Sequence, residues 1–224
     1  MTKRPQTKSE RTRERILESA AKVVGKVGYA KASVALITMK AKIASGGFYY
    51  YFSSRKKLFD GLLPALGEEM IAFISERVRD APWGIEHEVR AFESYLKYLR
   101  ENPEFYRVFS EAYVYAPGAY QTHFSAVIRN YTVALKVQKN KGYLDIEDGD
   151  VTMLVYFLIG IRNYVSQLYM EGKGSEDFDT EAAVKLYRRL ISVGIFNDEA
   201  SEAKPRSLKK AKWSRNQEPT PVAP

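Results

Sequence analysis

The chain has 224 residues, a formal net charge of +8, a hydrophobic content of 45% and no cysteine. The absence of cysteine excludes disulfides, thiolate metal sites and cysteine nucleophiles, and it suits the cytoplasm, where we place the protein. The hydrophobic content is sufficient for a packed core, and because no stretch approaches the length and apolarity of a membrane span, we expect no membrane partner.

The N-terminal sixty residues predict four helices. Thr7 opens a segment with the spacing of a capping box, so the first helix is expected to begin there, and Gly28 can close it. The helices that follow are expected over about 33–40, over about 45–51, and from a serine cap at position 53 or 54 to about residue 79.

The segment from Ser33 to Leu58 reads SVALITMKAKIASGGFYYYFSSRKKL. Two short helices meet at a tight break, and the second offers small and tyrosyl side chains, which predicts a helix-turn-helix that enters a DNA major groove. An ordinary helical hairpin is the alternative, but it leaves three consecutive tyrosines beside a basic triplet unexplained. Phe48 and Phe52, four residues apart, are expected to fix the recognition helix to the first helix.

Positive charge is concentrated at the same end of the chain. Residues 1–60 contain 14 Lys and Arg against 4 Asp and Glu, whereas residues 61–197 contain 15 against 19. We therefore expect double-stranded DNA, a polyanion, to bind at the N-terminal end only. A DNA-packaging protein would be basic throughout, so the acidic middle of the chain argues against that class.

The remaining two thirds of the chain have helical periodicity, and no segment alternates with period two for long enough to form a strand. Asn102 is expected to start one helix, Gly142 to end a long one, and Asp145 and Asp179 each to cap another. The chain is therefore predicted to be all-α, with about nine helices. Residues 198–224 are basic and poor in aliphatic side chains, which predicts a disordered tail; a second DNA-contacting arm is the alternative.

The last two predicted helices, to about Glu171 and to about Phe196, are apolar around most of their circumference. Such helices must be buried. The most economical burial is against the same helices of a second subunit, so we expect a homodimer. The interface candidates are Val155, Ile159, Tyr187, Leu190 and Ile191.

Four motifs stand in the order and spacing of one known family: RERILESA at 13–20, Gly28-Tyr29, Ser33-Val34 and FSSRKKL at 52–58. Over roughly its first sixty residues the chain resembles the TetR family of bacterial transcriptional regulators. The resemblance implies an N-terminal three-helix, helix-turn-helix DNA-binding domain over residues 1–54. It also implies a larger helical ligand-binding and dimerisation domain over residues 55–197, with an effector pocket and a four-helix dimer interface.

The expected DNA contacts combine residue chemistry with this resemblance. Gly46 and Gly47 would each cost about 1 kcal/mol in an ordinary helix, which makes sense if the backbone must lie close to DNA. Tyr49 and Arg55 are similar to family residues that contact DNA. Lys42 stands where the family usually has glycine in the turn, so either the turn differs or the lysine contacts a phosphate. The full set is Ser33, Lys42, Ser45, Gly46, Gly47, Tyr49, Tyr50 and Arg55.

The second domain is rich in aromatic residues, which suits a pocket for an apolar or aromatic effector. Core packing is the alternative for each aromatic ring, and a structural ion pair is the alternative for each arginine. The candidates are Tyr95, Phe109, Tyr113, Phe124, Arg129, Tyr131, Arg162 and Tyr164.

An enzyme is the competing functional class. The two histidines, His87 and His123, lack the spacing of metal ligands, and the chain has no glycine-rich phosphate loop, so we expect no catalytic residue, metal or cofactor. We therefore predict a dimeric, ligand-responsive transcriptional regulator, a repressor that a small, largely apolar or aromatic effector releases from its operator. A regulator without a small-molecule effector and a helical enzyme are the alternatives.

Overall fold

A computed structural model of the protein describes residues 7–171 and 178–192. Within these ranges every regular element is a helix, so the all-α prediction is confirmed. In chain order the helices are α1 (Lys8–Lys31), α2 (Val34–Ala41), α3 (Ser45–Tyr51), α4 (Arg55–Val78), α5 (Ile85–Glu101), α6 (Glu104–Tyr115), α7 (Pro117–Asn140), α8 (Asp150–Glu171) and α9 (Thr180–Ser192).

Several helix ends follow the expected capping chemistry. The Thr7 side chain accepts a hydrogen bond from the Glu10 N–H, and the Glu10 carboxylate accepts one from the Thr7 N–H, which completes the capping box. Ser54 and Asp179 each accept a hydrogen bond from the backbone N–H three residues later. At Gly28 the backbone has φ 80° and ψ 164°, so it interrupts the last turn of α1 in a conformation that favours glycine.

Two of the expected start signals do not begin a helix. The side-chain amide of Asn102 donates to the Tyr98 carbonyl, so this residue closes α5 instead of opening α6. Helix α8 begins at Asp150 and not near Asp145, because Leu144 and Ile146 in the intervening loop are held against the core. The predicted end of the last helix near Phe196 and the tail over 198–224 lie outside the described residues.

Helix α3, the predicted recognition helix, is anchored by the two phenylalanines that the sequence spacing indicated. Phe48 is fully buried, Phe52 is nearly so, and their ring centroids lie 5.9 Å apart. Both belong to the same buried cluster as Ile16 and Ala20 of α1 and Ile37 of α2. The opposite side of α3 is therefore the side that solvent reaches.

Helix α6 joins the N-terminal helices to the rest of the molecule. The Arg107 guanidinium donates to the carbonyl oxygens of Gly25 and Lys26 at 3.3 and 3.1 Å and pairs with Glu111 at 2.7 Å. Glu111 in turn accepts a hydrogen bond of 2.8 Å from the Tyr29 N–H. Carbonyl groups at the end of a helix have no partner within the helix, so α6 supplies donors that the end of α1 requires.

The close approach of α1 and α6 depends on a glycine. A Cβ atom on Gly25 would lie 2.5 Å from the Cβ of Glu104, closer than side-chain atoms can pack. One continuous apolar cluster extends from α1 through α4 and α5 to Tyr187 on α9. The predicted division of the chain at residue 55 remains a proposal, because the hydrophobic core has no break there.

Helix α8 corrects one prediction from the sequence. Contrary to the expectation that no stretch approaches a membrane span, its segment Asp150–Leu168 has the length and the mean hydropathy, 1.2, of a membrane-crossing helix. Length and composition alone are weak grounds for a membrane span, because a helix whose apolar side chains are covered by protein meets the same criteria. One side of α8 packs on the bundle, where Val151 and Val155 are fully buried.

Two of the expected dimer contacts are buried within the subunit itself. Val155 is fully buried and Tyr187 is 3% exposed, so neither is free to contact a partner, and Ile159 is half-buried on the inner side of α8. Leu190 and Ile191 on α9 are also half-buried. Over residues 150–168, whose burial is described, the large apolar side chains that α8 exposes are Met153, Tyr156, Phe157, Tyr164 and Leu168.

Candidate nucleic-acid interface and ligand cavity

The outer face of α3 presents tyrosines at the most basic end of the chain. Tyr49 is 60% exposed and Tyr50 is 79% exposed. Ser45 and Gly46, in the first turn of the same helix, are exposed as well. Because the Phe48 side of α3 is buried in the core, this outer face is free to enter a DNA groove.

The two glycines of α3 are not required by the packing of the protein itself. A Cβ atom built on Gly46 or on Gly47 would have nothing within 4 Å beyond the helix's own backbone. Neither residue has a positive φ angle. Their destabilising effect on α3 is therefore not offset by a contact within the described residues, whereas a bare backbone allows DNA to approach closely.

The turn between α2 and α3 has the shape expected of the motif although its residues differ. Ser33 caps α2 by accepting a hydrogen bond from the Leu36 N–H. Lys42 ends α2 with φ 53° and ψ 48°, a left-handed conformation that glycine adopts more readily. The turn is thus the usual one, and Lys42 occupies it with its side chain exposed. Ala44 provides no side-chain cap for α3.

Arg55 is engaged within the protein. Its guanidinium donates to the carbonyl oxygens of Tyr29 and Ala30 at the end of α1, and its charge lies 4.9 Å from the centre of the Phe59 ring. From its sequence context this side chain is predicted to bind a phosphate. The structure instead gives it a structural role that fastens α4 to α1, while the neighbouring Lys56 and Lys57 are exposed.

A cavity of about 220 Å³ lies between α4, α5, α6, α7 and α8. Its wall is mainly apolar and aromatic, with a few polar groups. The residues that line it include Met70, Ile74, His87, Glu88, Tyr95, Phe105, Phe109, His123, Phe124, Asn130, Tyr131, Gln138, Ile159, Arg162 and Asn163. An apolar enclosure with a small number of polar groups is the usual form of a small-molecule site.

Five of the eight expected ligand contacts line this cavity: Tyr95, Phe109, Phe124, Tyr131 and Arg162. The other three do not. Tyr113 and Tyr164 are 68% and 74% exposed, and Arg129 also faces solvent. Periodicity does not determine which side of a helix faces a cavity and which faces water, and that is why these three were misplaced.

The polar centre of the cavity is built around Glu88, which is not among the residues predicted from the sequence. Its Oε1 atom accepts hydrogen bonds from the Tyr131 hydroxyl, from Arg162 at 2.7 Å and from the Tyr187 hydroxyl at 2.5 Å. The arginine and the glutamate are both largely buried. A glutamate within the apolar stripe that Val89 and Phe92 share on α5 is the signal in the sequence that could have indicated it.

The protonation of this group of side chains is set by its surroundings. Burial raises the pKa of Tyr131 well above its ordinary value, and burial raises the pKa of Tyr187 too. Both hydroxyls therefore keep their protons and act as donors. Burial by itself would lower the pKa of Arg162, but its interactions with Tyr131, Glu88 and Tyr187 together raise that pKa well above its ordinary value, so the guanidinium stays charged.

His123 and Gly67 bring α7 against α4 beside the cavity. His123 is 5% exposed, and its burial lowers the pKa of the imidazole to about 4, so the ring is neutral in a neutral solution. A Cβ atom on Gly67 would overlap the His123 ring. Among the described residues no group of acidic and histidine side chains is arranged to hold a metal ion.

Comparison with known proteins agrees with this geometry. The family model described as bacterial regulatory proteins, tetR family, matches residues 16–62, which span most of α1, all of α2 and α3, and the start of α4. The HTH-type transcriptional regulator YvdT of Bacillus subtilis (strain 168), itself uncharacterised, is 36% identical over 66 residues. That alignment covers 30% of this chain and 32% of YvdT.

Solved structures extend the similarity to the whole fold. The transcriptional regulator FadR from Bacillus subtilis, in complex with stearoyl-CoA, matches 82% of this chain and 99% of its own, with a TM-score of 0.72 and 16% identity. The fatty acid degradation regulator FadR from Bacillus halodurans matches 87% and 98%, with a TM-score of 0.72 and 18% identity. The regulator PfmR from Thermus thermophilus matches 82% and 100%, with a TM-score of 0.63 and 18% identity.

The matching family model covers the helix-turn-helix, and the similarity in fold covers more than four fifths of the chain. Residues 16–62 of the chain are therefore similar to the DNA-binding region of the bacterial regulatory proteins of the tetR family, and the rest of the chain shares the fold of solved transcriptional regulators.

Proposed function

We propose that this protein is a repressor of transcription that binds operator DNA through α3 and is released by a small, largely apolar effector in the central cavity. The observation that carries the proposal is the outer face of α3, where Tyr49, Tyr50 and a bare glycine backbone are exposed at the basic end of the chain. We assign no catalytic role to the protein, whose place of action we take to be the cytoplasm.

Binding to DNA follows from charge as well as shape. Several phosphates neutralised by lysine and arginine release counterions, so the logarithm of the affinity should fall with the logarithm of the salt concentration, by about 0.9 per phosphate contacted. The exposed Lys42, Lys56 and Lys57 are the proposed contacts next to the recognition helix.

The substitution Gly46→Ala tests the role of α3 because it has opposite effects on folding and on DNA binding. Alanine in place of an unstrained helical glycine should raise the free energy of unfolding by up to about 1 kcal/mol. If the bare backbone lies against DNA, the same methyl group should weaken operator binding. The measurements are urea unfolding and fluorescence anisotropy with an operator found by selection from random duplexes.

Gly61→Ala is the matched control, since Gly61 is a helical glycine in α4 whose Cβ position meets only the end of the Arg13 side chain, at 3.8 Å. It should raise stability by a similar amount and leave DNA binding unchanged. Unaltered operator affinity of Gly46→Ala would refute the assignment of this face of α3 to DNA.

A homodimer is part of the proposal. The apolar residues that α8 exposes, Met153, Phe157, Tyr164 and Leu168, recur at helical spacing on one face. A second copy that covers this face would place two recognition helices on one duplex, and a symmetric dimer reads half-sites about 34–36 Å apart.

The bound form of FadR from Bacillus subtilis contains stearoyl-CoA. An acyl chain is therefore the second candidate for the effector of this protein, and the apolar wall of the cavity favours it. Either effector would act through the same linkage, in which the factor by which effector lowers DNA affinity equals the factor by which DNA lowers effector affinity.

A further inference from the structure

Only one of the two carboxylate oxygens of Glu88 accepts hydrogen bonds from the described residues. Three donors, from Tyr131, Arg162 and Tyr187, converge on its Oε1 atom. Among the described residues, no hydrogen bond reaches Oε2. The fully buried polar side-chain atoms without a partner are the Tyr29 hydroxyl and Arg55 Nε. Oε2 is not one of them, so part of its surface is accessible. Glu88 is 7% exposed and lines the cavity, so the surface that its open oxygen reaches is the cavity itself.

The position of Oε2 is fixed by four helices. Glu88 is on α5, Tyr131 on α7, Arg162 on α8 and Tyr187 on α9. Tyr187 also stacks on Phe92 with ring centroids 4.1 Å apart, and the Arg162 guanidinium lies 5.0 Å from the centre of the Tyr131 ring. A carboxylate held in this way cannot rotate to exchange its two oxygens without breaking three hydrogen bonds, so Oε2 is a preorganised acceptor.

The local charge decides which donor suits this acceptor. Arg162 balances the charge of Glu88 at 2.7 Å, so a cationic ligand would gain little from the pair after losing its hydration. An anionic group, or a neutral acceptor without a proton, would be repelled by the free lone pairs of this oxygen. A neutral hydroxyl or N–H group satisfies Oε2 and replaces the water that would otherwise occupy this place.

The size of the cavity favours a compact ligand. A volume of about 220 Å³ is below the range of roughly 300–1,000 Å³ for drug-sized ligands. An apolar protein cavity of about 150 Å³ holds benzene, so this cavity suits a molecule somewhat larger than benzene. Phe105, Phe109 and Phe124 supply aromatic surface for such a body.

We propose that the effector is a compact, uncharged molecule with an aromatic or alicyclic body and one hydroxyl or N–H group that donates to Oε2 of Glu88. This inference rests on the proposed function, in which the cavity is the effector site. It distinguishes the protein from a receptor for acyl chains, because a thioester or carboxylate offers no proton to this oxygen.

Three probes of one ring system test the inference by isothermal titration calorimetry on the full-length protein. They are 2-naphthol, which has a donor, 2-methylnaphthalene, which has the same shape without one, and 2-naphthoate, which has an anionic acceptor. We expect 2-naphthol to bind about tenfold or more tightly than either of the others, because a hydrogen bond to a charged group is gained. Comparable binding of 2-methylnaphthalene, tightest binding of 2-naphthoate, or no binding of any naphthalene would each overturn the inference.

Stearoyl-CoA is the fourth probe. Tighter binding of stearoyl-CoA than of 2-naphthol would assign the cavity to acyl chains and would also overturn the inference.

The variant Glu88→Gln tests whether Glu88 is the source of the preference for 2-naphthol. Its amide oxygen can accept the three donors, which leaves the –NH₂ group towards the cavity and the Arg162 charge unbalanced. The advantage of 2-naphthol over 2-methylnaphthalene should then fall to about threefold or less, and 2-naphthoate should gain. Glu86→Gln, on the same helix and paired with Arg188 at the surface, is the matched control and should keep the wild-type order. An unchanged preference in a folded Glu88→Gln variant would exclude Glu88 as the acceptor.

These measurements do not involve DNA, so the two proposals can fail separately. A protein that binds 2-naphthol in the expected order but binds no duplex would refute the proposed function and leave the ligand chemistry standing. If Glu88→Gln does not fold, which its circular dichroism would reveal, the probe series on the wild-type protein still decides.

Discussion

At the scale of single residues, Arg55 contributes to stability through the end of α1. Its guanidinium donates to two carbonyl groups there, and Tyr29 beside them is fully buried. Arg55→Ala should lower the free energy of unfolding by roughly 1–3 kcal/mol, because hydrogen bonds to a charged group are lost and a buried carbonyl is left without its donor. Urea denaturation monitored by circular dichroism measures the change.

Lys57→Ala is the control for Arg55→Ala, because it removes the same charge from the same turn of α4 at an exposed position. It should weaken DNA binding and reduce its salt dependence while stability changes by no more than about 0.5 kcal/mol. Equal stability of the two variants would contradict the structural role of Arg55.

His123 links stability to pH. Its pKa is about 4 in the folded protein and near 6.5 when the chain is unfolded, so the unfolded state binds the proton more tightly. Stability should therefore fall as the pH is lowered from about 6.5 towards 4, and the contribution of this residue should be on the order of 3 kcal/mol. Urea unfolding of wild-type protein and His123→Gln between neutral and acidic pH measures the difference.

His87→Gln is the comparison for His123. Burial also lowers the pKa of His87, but Glu88 opposes the shift. Replacing His87 should therefore reduce the pH dependence of stability less than replacing His123 does. An identical pH profile for wild type and His123→Gln would show that the ring is protonated equally in both states.

Sequence reasoning at this scale succeeded where neighbours are close in the chain. Phe48 and Phe52 could be assigned to the core because a spacing of four places both on one helix face. The partners of Glu88 lie 43, 74 and 99 residues away, and nothing in local periodicity brings them together. The contacts of Arg55 with α1 could not be predicted for the same reason, since its acceptors belong to a helix that ends more than twenty residues earlier.

At the scale of elements, one face of α6 lines the cavity and another face contacts the end of α1. Phe105 and Phe109 line the cavity, whereas Arg107 and Glu111 hold the end of α1. A ligand that displaces the phenylalanines would therefore move the contacts that position the DNA-binding helices.

Arg107→Ala should reduce the coupling between the cavity and DNA. The expected result is that 2-naphthol, saturating the cavity, lowers operator affinity by a smaller factor than in the wild-type protein, because α1 no longer follows α6. Anisotropy titrations of labelled operator with and without 2-naphthol give this factor, and the same factor must appear in the effector affinity measured with and without operator.

Arg129→Ala, an exposed arginine on α7, is the matched control and should leave the coupling unchanged. Full coupling in Arg107→Ala would mean that the signal reaches the DNA-binding helices by another route, of which α4 is the foremost.

Helix ends were the elements' most predictable feature, although not uniformly. Thr7, Ser54 and Asp179 cap as expected, because a side-chain oxygen next to three free N–H groups has an advantage that does not depend on the rest of the fold. Asp145 fails because the half-buried Leu144 and Ile146 bind the loop to the core, and tertiary packing outweighs a local cap.

At the scale of the whole molecule, the exposed face of α8 predicts the oligomeric state. Phe157 is 63% exposed in the middle of an apolar face, so Phe157→Asp should place a charge in the proposed interface and produce monomers. Light scattering coupled to size exclusion measures the mass. Operator affinity should fall with it, because a monomer holds only one half-site.

Tyr113→Asp is the matched control, since this aromatic side chain is similarly exposed but belongs to α6 and not to the exposed face of α8. It should remain dimeric. A wild-type protein that is monomeric at micromolar concentration would disprove the dimer before any variant is made.

The all-α class could be predicted for the whole molecule because a period of two residues never persists in the sequence. The outward face of α8 could not be separated from its inward face, since both are apolar. For that reason the buried Val155 was predicted as an interface contact in place of the exposed Met153 and Phe157. A pocket with an aromatic wall was predicted from the sequence. Its polar centre could not be, because that centre depends on how four helices are arranged.

The junction between α1 and α6 has a consequence for chimeric regulators. Gly25 admits Glu104 at a distance that no other residue would allow, and Arg107 and Glu111 match the carbonyl and N–H groups that α1 presents at its end. The first three helices of another regulator can therefore replace those of this protein, to change its operator specificity, only if they have glycine at the position of Gly25. Exchange between relatives is thus limited by one small patch of shared surface, and recombinants that carry α6 together with their own α1 should be the ones that retain function.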